Sequence, residues 1–148
     1  MKKFELDKDN FFEIENSIGL ILRRVTNVSD ALSMKILIDY FNKEYMWDSM
    51  FTINDVLDRL NRGDVLFILS YNHIDIGYVW FREIDKTNCY LYNLYVTRQL
   101  YRPKNAPIWF VNRVSKKMLN IYSKIVCECE DWHINAQNLF IKSGFKEI

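Results

Sequence analysis

The chain has 148 residues, 49% of them hydrophobic and 26% charged, with a formal net charge of +1 at pH 7. That length suits one domain with a substantial core, the balanced charge speaks against a dedicated nucleic-acid binder, and no apolar run reaches the roughly eighteen residues that span a bilayer. The opening MKKFELDKDNFFEIEN is too acidic for a secretory leader and has no apolar stretch of its own, and an odd count of three cysteines points away from a disulfide framework and toward the cytoplasm.

Residues 1–17 carry Phe4, Leu6, Phe11, Phe12 and Ile14 as anchors without a period that assigns them an element, and they read as an N-terminal extension of a single domain spanning 1–148. Residues 19–25 (GLILRRV) predict a short strand. Ser29 or Asp30 suits the cap of the next helix, whose Leu32, Ile36, Leu37, Tyr40 and Phe41 share one apolar face. Thr52, with Asp55 three residues on, forms a weak capping box for a helix over 52–60, with Val56, Leu57 and Leu60 inward and Gly63 at its end. Strands at 65–71, 74–84 and 89–97 follow, separated by Asn72-His73 and by 85–88, which are hairpin lengths. On the third strand Tyr90, Tyr92, Leu94 and Val96 alternate with Leu91, Asn93, Tyr95 and Thr97, so both faces predict cover.

Arg98, Arg102 and Lys104 then fall in a turn that contains no glycine. Pro107 suits the first turn of a helix over 108–122, with Phe110, Val111, Val114, Met118, Leu119, Ile121 and Tyr122 on one face and Asn112, Arg113, Lys116, Lys117 and Asn120 on the other. Residues 124–129 (KIVCEC) predict a strand, and strand–helix–strand implies a right-handed parallel crossover. A last helix over 133–142, with Asp131 as its cap and Gly144 past its end, leads into a strand from 145. Charge is uneven along the chain: residues 86–126 hold eight Lys or Arg and no acid, a +8 segment inside a −7 remainder. Two readings stand, a solvated helix face or a site for a phosphorylated ligand next to a helix N-terminus.

Two motifs carry a resemblance. Leu94-Tyr95-Val96 followed by 101–107 (YRPKNAP) looks like a strand and its Arg/Gln-x-x-Gly-x-Gly/Ala pyrophosphate turn. Residues 136–145 (AQNLFIKSGF) look like a C-terminal helix ending in Lys-x-Gly-Phe. Together with the element order, these resemble the GNAT superfamily of acyl-CoA N-acyltransferases over residues 19–148. The resemblance implies an α/β (α+β) fold: a mixed central sheet, mostly antiparallel, with one splayed parallel strand pair, flanked by helices. It implies acetyl-CoA as cosubstrate, lying between strands 89–97 and 124–129. The pantetheine arm would pair with the backbone at Leu94, Tyr95 and Val96, and the pyrophosphate would rest on Lys104, Asn105 and Ala106 with Arg102 beside them. The acceptor would be an amine, on a small molecule or a protein, attacking the thioester directly with help from a base and an acid.

The chain departs from that pattern. Asn105 and Pro107 replace glycines, and Pro103 also stands in the turn. Pro107 donates no N–H. Phe140 stands where the family has its tyrosine acid, Tyr92 and Asn93 where acidic residues often stand, and the terminal strand stops at Ile148. Tyr92 and His133 are the catalytic candidates that remain. Two functions stay open: an N-acetyltransferase with degenerate motifs, or a GNAT-fold binding or assembly module without catalysis. A nucleic-acid module built on the basic segment is a third reading, and an aromatic-rich edge is compatible with a homodimer.

Other constellations have plainer readings. Cys127 and Cys129, with His133 and Cys89, do not match the tight spacing of structural zinc, and buried free cysteine is ordinary core, so no metal site is expected. Cys as a nucleophile would have His133 as its nearest base. His73 belongs to a solvated turn. Glu128 or Glu130 is a base only if it faces a cleft, and a solvated residue otherwise. Tyr45, Trp47 and Trp132 either line an acceptor pocket or anchor core and loops.

Overall fold

Residues 1–46, 51–98 and 100–148 are described by the structure, a computed structural model. The elements run β1 (Lys2–Asp7), β2 (Leu20–Arg24), α1 (Val28–Glu44), α2 (Ile53–Asn61), β3 (Val65–Tyr71), β4 (Ile74–Glu83), β5 (Asn88–Val96), α3 (Ala106–Met118), β6 (Lys124–Cys129), α4 (Ile134–Lys142) and β7 (Lys146–Glu147). The strand order is β2-β3-β4-β5-β6-β1-β7. The β5–β6 pair is parallel and the β1–β6, β1–β7, β2–β3 and β3–β4 pairs are antiparallel, which is the mixed sheet expected. The chain divides into two units, Gly19–Phe81 with Asn93–Arg102, and Met1–Ile18 with Arg82–Tyr92 and Pro103–Ile148, so β4 and β5 each contribute to both.

In the first unit, β3 and β4 join at Asn72 and His73, both at positive φ (49° and 69°). That is the handedness a two-residue hairpin needs to match strand twist. The β3–β4 register shifts between Leu69 and Ser70, which leaves Ile76 as the extra residue on β4. Next to it, Gly77 lets β5 come close: a Cβ there would stand 2.6 Å from the Tyr95 carbonyl oxygen. The capping box of α2 is present, with Thr52 Oγ1 accepting the Asp55 N–H at 3.2 Å and Asp55 Oδ2 accepting the Thr52 N–H at 2.7 Å. Two details of α1 correct the sequence reading. Its cap is Asn27, whose side chain accepts the Asp30 N–H at 2.9 Å, rather than Ser29 or Asp30. Its buried face is Ala31, Met34, Leu37 and Ile38, while Leu32 (45%) and Ile36 (58%) stay exposed. Apolar residues occupy two neighbouring faces of this helix, and spacing alone does not choose between them.

In the second unit, the segment with no assigned element contains β1, paired with β6 along six residues, with Phe4 and Leu6 at 0% exposure. The resemblance implies a further strand after the last helix; here the strand bordering β6 comes from the N-terminal end, and β7 pairs with its other edge. Residues 11–16 then run against α3. Asn112, expected on the open face, is fully buried: its Nδ2 donates to the Phe12 carbonyl at 2.7 Å, and its Oδ1 accepts the Ile14 N–H at 3.0 Å. Arg113 donates to the Ile14 carbonyl and to Asn16. α3 spans Ala106–Met118 rather than 108–122, and residues 119–122 close it with a turn. α4 has His133 at its N-cap with no side-chain bond. Asp131, the expected cap, instead faces the N-terminal ammonium at 3.1 Å.

Candidate functional site

The strand β5 carries the feature that matters most. Its parallel ladder with β6 holds three register pairs, Asn88↔Lys124, Cys89↔Ile125 and Tyr90↔Val126, and no further pair with β6 follows among the described residues. Further along β5, the Thr97 N–H donates to the Ile76 carbonyl on β4 at 2.8 Å. Backbone groups of successive strand residues point to opposite edges, so those of Val96 and Leu94 point away from β4. Among the described residues that edge of the strand has donors and acceptors without a strand to meet them, the arrangement that accepts an extended, amide-bearing ligand.

The turn after β5 is built differently from a glycine turn. Asn105 sits at φ −85° and needs no left-handed conformation. Its loss relative to glycine is therefore close approach rather than conformational range. The Ala106 N–H is used within the turn, donating to the Pro103 carbonyl at 3.1 Å, and the Trp109 N–H goes to Asn105. With Pro107 lacking an N–H, the amides of Lys104, Asn105 and Ile108 are the ones without a backbone acceptor among the described residues. The helix start has no side-chain cap and no acid in its first turn, so its positive end is uncompensated. Lys104 is exposed, and Arg98, Arg102 and Lys104 make no ion pair among the described residues. Burial first, then the neighbouring Arg98 charge, lower the proton affinity of Arg102, with Glu44 and Tyr95 opposing. Elsewhere in the basic segment three cations have acid partners: Glu13 binds Arg113 and Lys116, and Glu5 pairs with Lys124 at 3.1 Å.

Of the catalytic candidates, Tyr92 lies two residues past the last parallel pair, with the Arg82 guanidinium 3.6 Å over its ring and Tyr90 beside it. His133 stacks on Trp132 at the start of α4, with Trp132 71% exposed. Phe140 is core, 5% exposed and tilted against Phe4 and Phe145, so its position supplies no proton. Cys89 and Cys127 are buried; burial pushes the Cys89 thiol up to about 12 and the Cys127 thiol up as well, which suits packing and not nucleophilic attack. No group of three His, Cys, Asp or Glu among the described residues is placed to hold a metal ion. Glu128, Glu130 and His73 are exposed. Trp47 lies outside the described residues. No helix among the described residues is long and apolar enough to cross a membrane.

Sequence reasoning missed one pair. Glu44 ends α1, and the Tyr95 hydroxyl on β5 donates to its carboxylate Oε2. Tyr95 is 4% exposed, and its ring meets Phe41 edge-on at 5.5 Å. Burial, and then this bond to Glu44, push the Tyr95 phenol up, which keeps it a donor. The two residues are 51 apart in sequence, and no local pattern joins them.

No protein-family profile matches the chain, and no curated protein does either. Solved structures do. An aminoglycoside acetyltransferase from an uncultured soil metagenomic sample, in complex with sisomicin, is 13% identical with a TM-score of 0.67 over 84% of this chain and 87% of that one. Spermidine N-acetyltransferase from Vibrio cholerae, in complex with CoA and spermine, is 16% identical with a TM-score of 0.67 over 88% and 82%. A GCN5-related N-acetyltransferase from Kribbella flavida is 9% identical with a TM-score of 0.69; it matches 98% of this chain, which spans about half (53%) of that protein. At these identities the likeness is one of fold: the chain has the fold of the GNAT acetyltransferases.

Proposed function

We propose that this chain binds an acyl-CoA, acetyl-CoA first among them, and transfers the acyl group to an amine. The end of the β5–β6 ladder at Tyr90–Val126 is the observation that carries the reading. It leaves the Leu94 and Val96 backbone to pair with the amides of a pantetheine arm and to polarise the thioester carbonyl. The residues of the turn fit the phosphates with fewer amides than glycine would allow: those of Lys104, Asn105 and Ile108, the uncapped α3 start, and the side chains of Arg102 and Lys104. The neutral amine nitrogen attacks the carbonyl carbon, the carbon–sulfur bond breaks, and the departing thiolate takes a proton. With Phe140 in the core, Tyr92 is the candidate to give that proton, and His133 is the candidate to take one from the amine. An aminoglycoside acetyltransferase and a spermidine N-acetyltransferase share this fold, which supports an amine as acceptor.

Calorimetric titration with acetyl-CoA and with free CoA tests the reading. Micromolar binding is expected, with Arg102→Ala and Lys104→Ala each weakening it by about tenfold, the loss of one charge-assisted hydrogen bond. No binding at millimolar ligand would remove the proposal. The second reading, a GNAT-fold module without catalysis, is favoured by Phe140 in the core and by the Ala106 N–H spent inside the turn. It predicts that acetyl-CoA binds without turnover on a broad amine panel, and acetylation of any acceptor would remove it.

A further inference from the structure

We propose that Glu44 recognises an ammonium group, and that the acceptor carries a second protonated nitrogen besides the one that is acylated. This rests on the amine-transfer reading above for the word acceptor, but not for the site itself.

The unit of Gly19–Phe81 and Asn93–Arg102 gives nearly every described carboxylate a partner within the fold. Asp30 and Asp75 share Arg23, Asp39 pairs with Lys35, Asp58 with Arg62, and Asp64 with Arg59. Asp55 completes the α2 capping box. Glu44 is the exception: among the described residues it has a phenol on Oε2, no cation, and no hydrogen bond on Oε1. The charge of Glu44 acts on Arg102, yet the two form no ion pair among the described residues. One oxygen of a half-buried carboxylate is therefore fixed by Tyr95 and the other is left to accept.

The surroundings favour a positive guest. Glu44 stands at the C-terminal end of α1, where the last carbonyls already present negative charge. A carboxylate there works against the helix and deepens the negative potential. Phe41 and Tyr45 put two rings, 4.9 Å apart, on the same turn, with Tyr45 40% exposed. Ring faces attract ammonium groups. Just beyond, Met46 holds φ 56°, a left-handed conformation that glycine or asparagine normally takes at a helix end. Two unfavourable local choices, the carboxylate of Glu44 at a helix C-terminus and the positive φ of Met46, thus stand within three residues of each other.

The chemistry then sets the substrate class. A nitrogen must be neutral to attack a thioester, so a nitrogen held as ammonium by a carboxylate is not the one that reacts. Glu44 thus selects acceptors with at least two amines.

The test is calorimetric titration of the full chain, without CoA, using 1,4-diaminobutane and its uncharged analogue 1,4-butanediol at matched ionic strength. The diamine is expected to bind at least about tenfold more tightly, the worth of one added charge-assisted contact. Glu44→Gln is expected to erase that difference while leaving acetyl-CoA affinity and the thermal midpoint close to wild type. Tyr95→Phe keeps the ring and the carboxylate and is expected to keep the diamine preference. Equal binding of both compounds to the wild-type chain, binding of neither, an unchanged preference in Glu44→Gln, or its loss in Tyr95→Phe would each overturn the inference. Acetyl-CoA affinity, measured separately, decides the transferase reading on its own.

Discussion

Asn112 shows how one residue can be misread from its neighbours in sequence. It lies between Val111 and Arg113 on a helix whose polar residues read as solvated, yet it is fully buried and both ends of its amide are bonded to the backbone of residues 12–14. Asn112→Ala removes the partner of one carbonyl and one N–H at once. A loss of about 2–3 kcal/mol is expected from two unsatisfied backbone groups. Urea unfolding checks it: the midpoint should fall at unchanged slope, and an unchanged midpoint would mean that water replaces the amide without cost. The same limit hid Glu44. Its partner Tyr95 is 51 residues away, so the pair exists only once α1 and β5 are folded together.

At the scale of elements, the turn that closes β4 onto β5 holds a titratable lock. Asp85 accepts from the Thr87 N–H (2.8 Å), the Thr87 hydroxyl (2.9 Å), the Asn88 N–H (2.8 Å) and the Asn88 side-chain amide (3.1 Å). The Asn88 side chain first, and then the Thr87 backbone, hold its carboxyl at about 2 against an ordinary 3.8. A depressed folded value means stability that is present above 3.8 and lost as pH falls through about 2. Asp85→Asn has no proton to take up in that range. Wild type should therefore lose stability relative to Asp85→Asn as pH drops from 4 to 2, and a pH-independent difference between their unfolding midpoints would refute the lock. Helix and strand signals were otherwise legible where the local rule is strong. Thr52 and Asp55 announce α2, and the apolar runs of β3 and β6 give their ends to the residue. α1 was legible as a helix but not in its orientation, because Leu32 and Ile36 compete with Met34 and Ile38 for the core.

Across the whole molecule, the N-terminal segment changes status. Two apolar residues among charges, Phe4 and Leu6, are too short a pattern to assign, yet the strand they form borders β6 and both are fully buried. Phe4→Ala is expected to cost about 3–5 kcal/mol, the usual loss for truncating a core aromatic. Chemical denaturation reads this directly, and a cost below about 1 kcal/mol would mean that β1 is dispensable to the fold. The acids of the same segment alter the charge argument as well. Glu5 and Glu13 pair with Lys124, Arg113 and Lys116, so three of the eight cations between residues 86 and 126 have an acid partner from the N-terminal end, two acids shared among them. That weakens the nucleic-acid reading, which needs cations left for phosphates, and leaves Arg98, Arg102 and Lys104 as the concentrated part of the segment.

Sequence by itself determined the order of elements from residue 19 onward, the parallel crossover around α3, the capping of α2, and the chemical character of the turn at 98–107. Those follow from periods, caps and residue types that act within a few positions of one another. Tertiary structure alone decided the placement of β1 beside β6, the buried face of α1, the clamp of Asn112 on residues 12–14, the point where β5 and β6 stop pairing, and the meeting of Glu44 with Tyr95. Each of these joins groups far apart in the chain, where strand partnership and side-chain contacts are set by the competition of whole surfaces for burial, and no local pattern records the outcome.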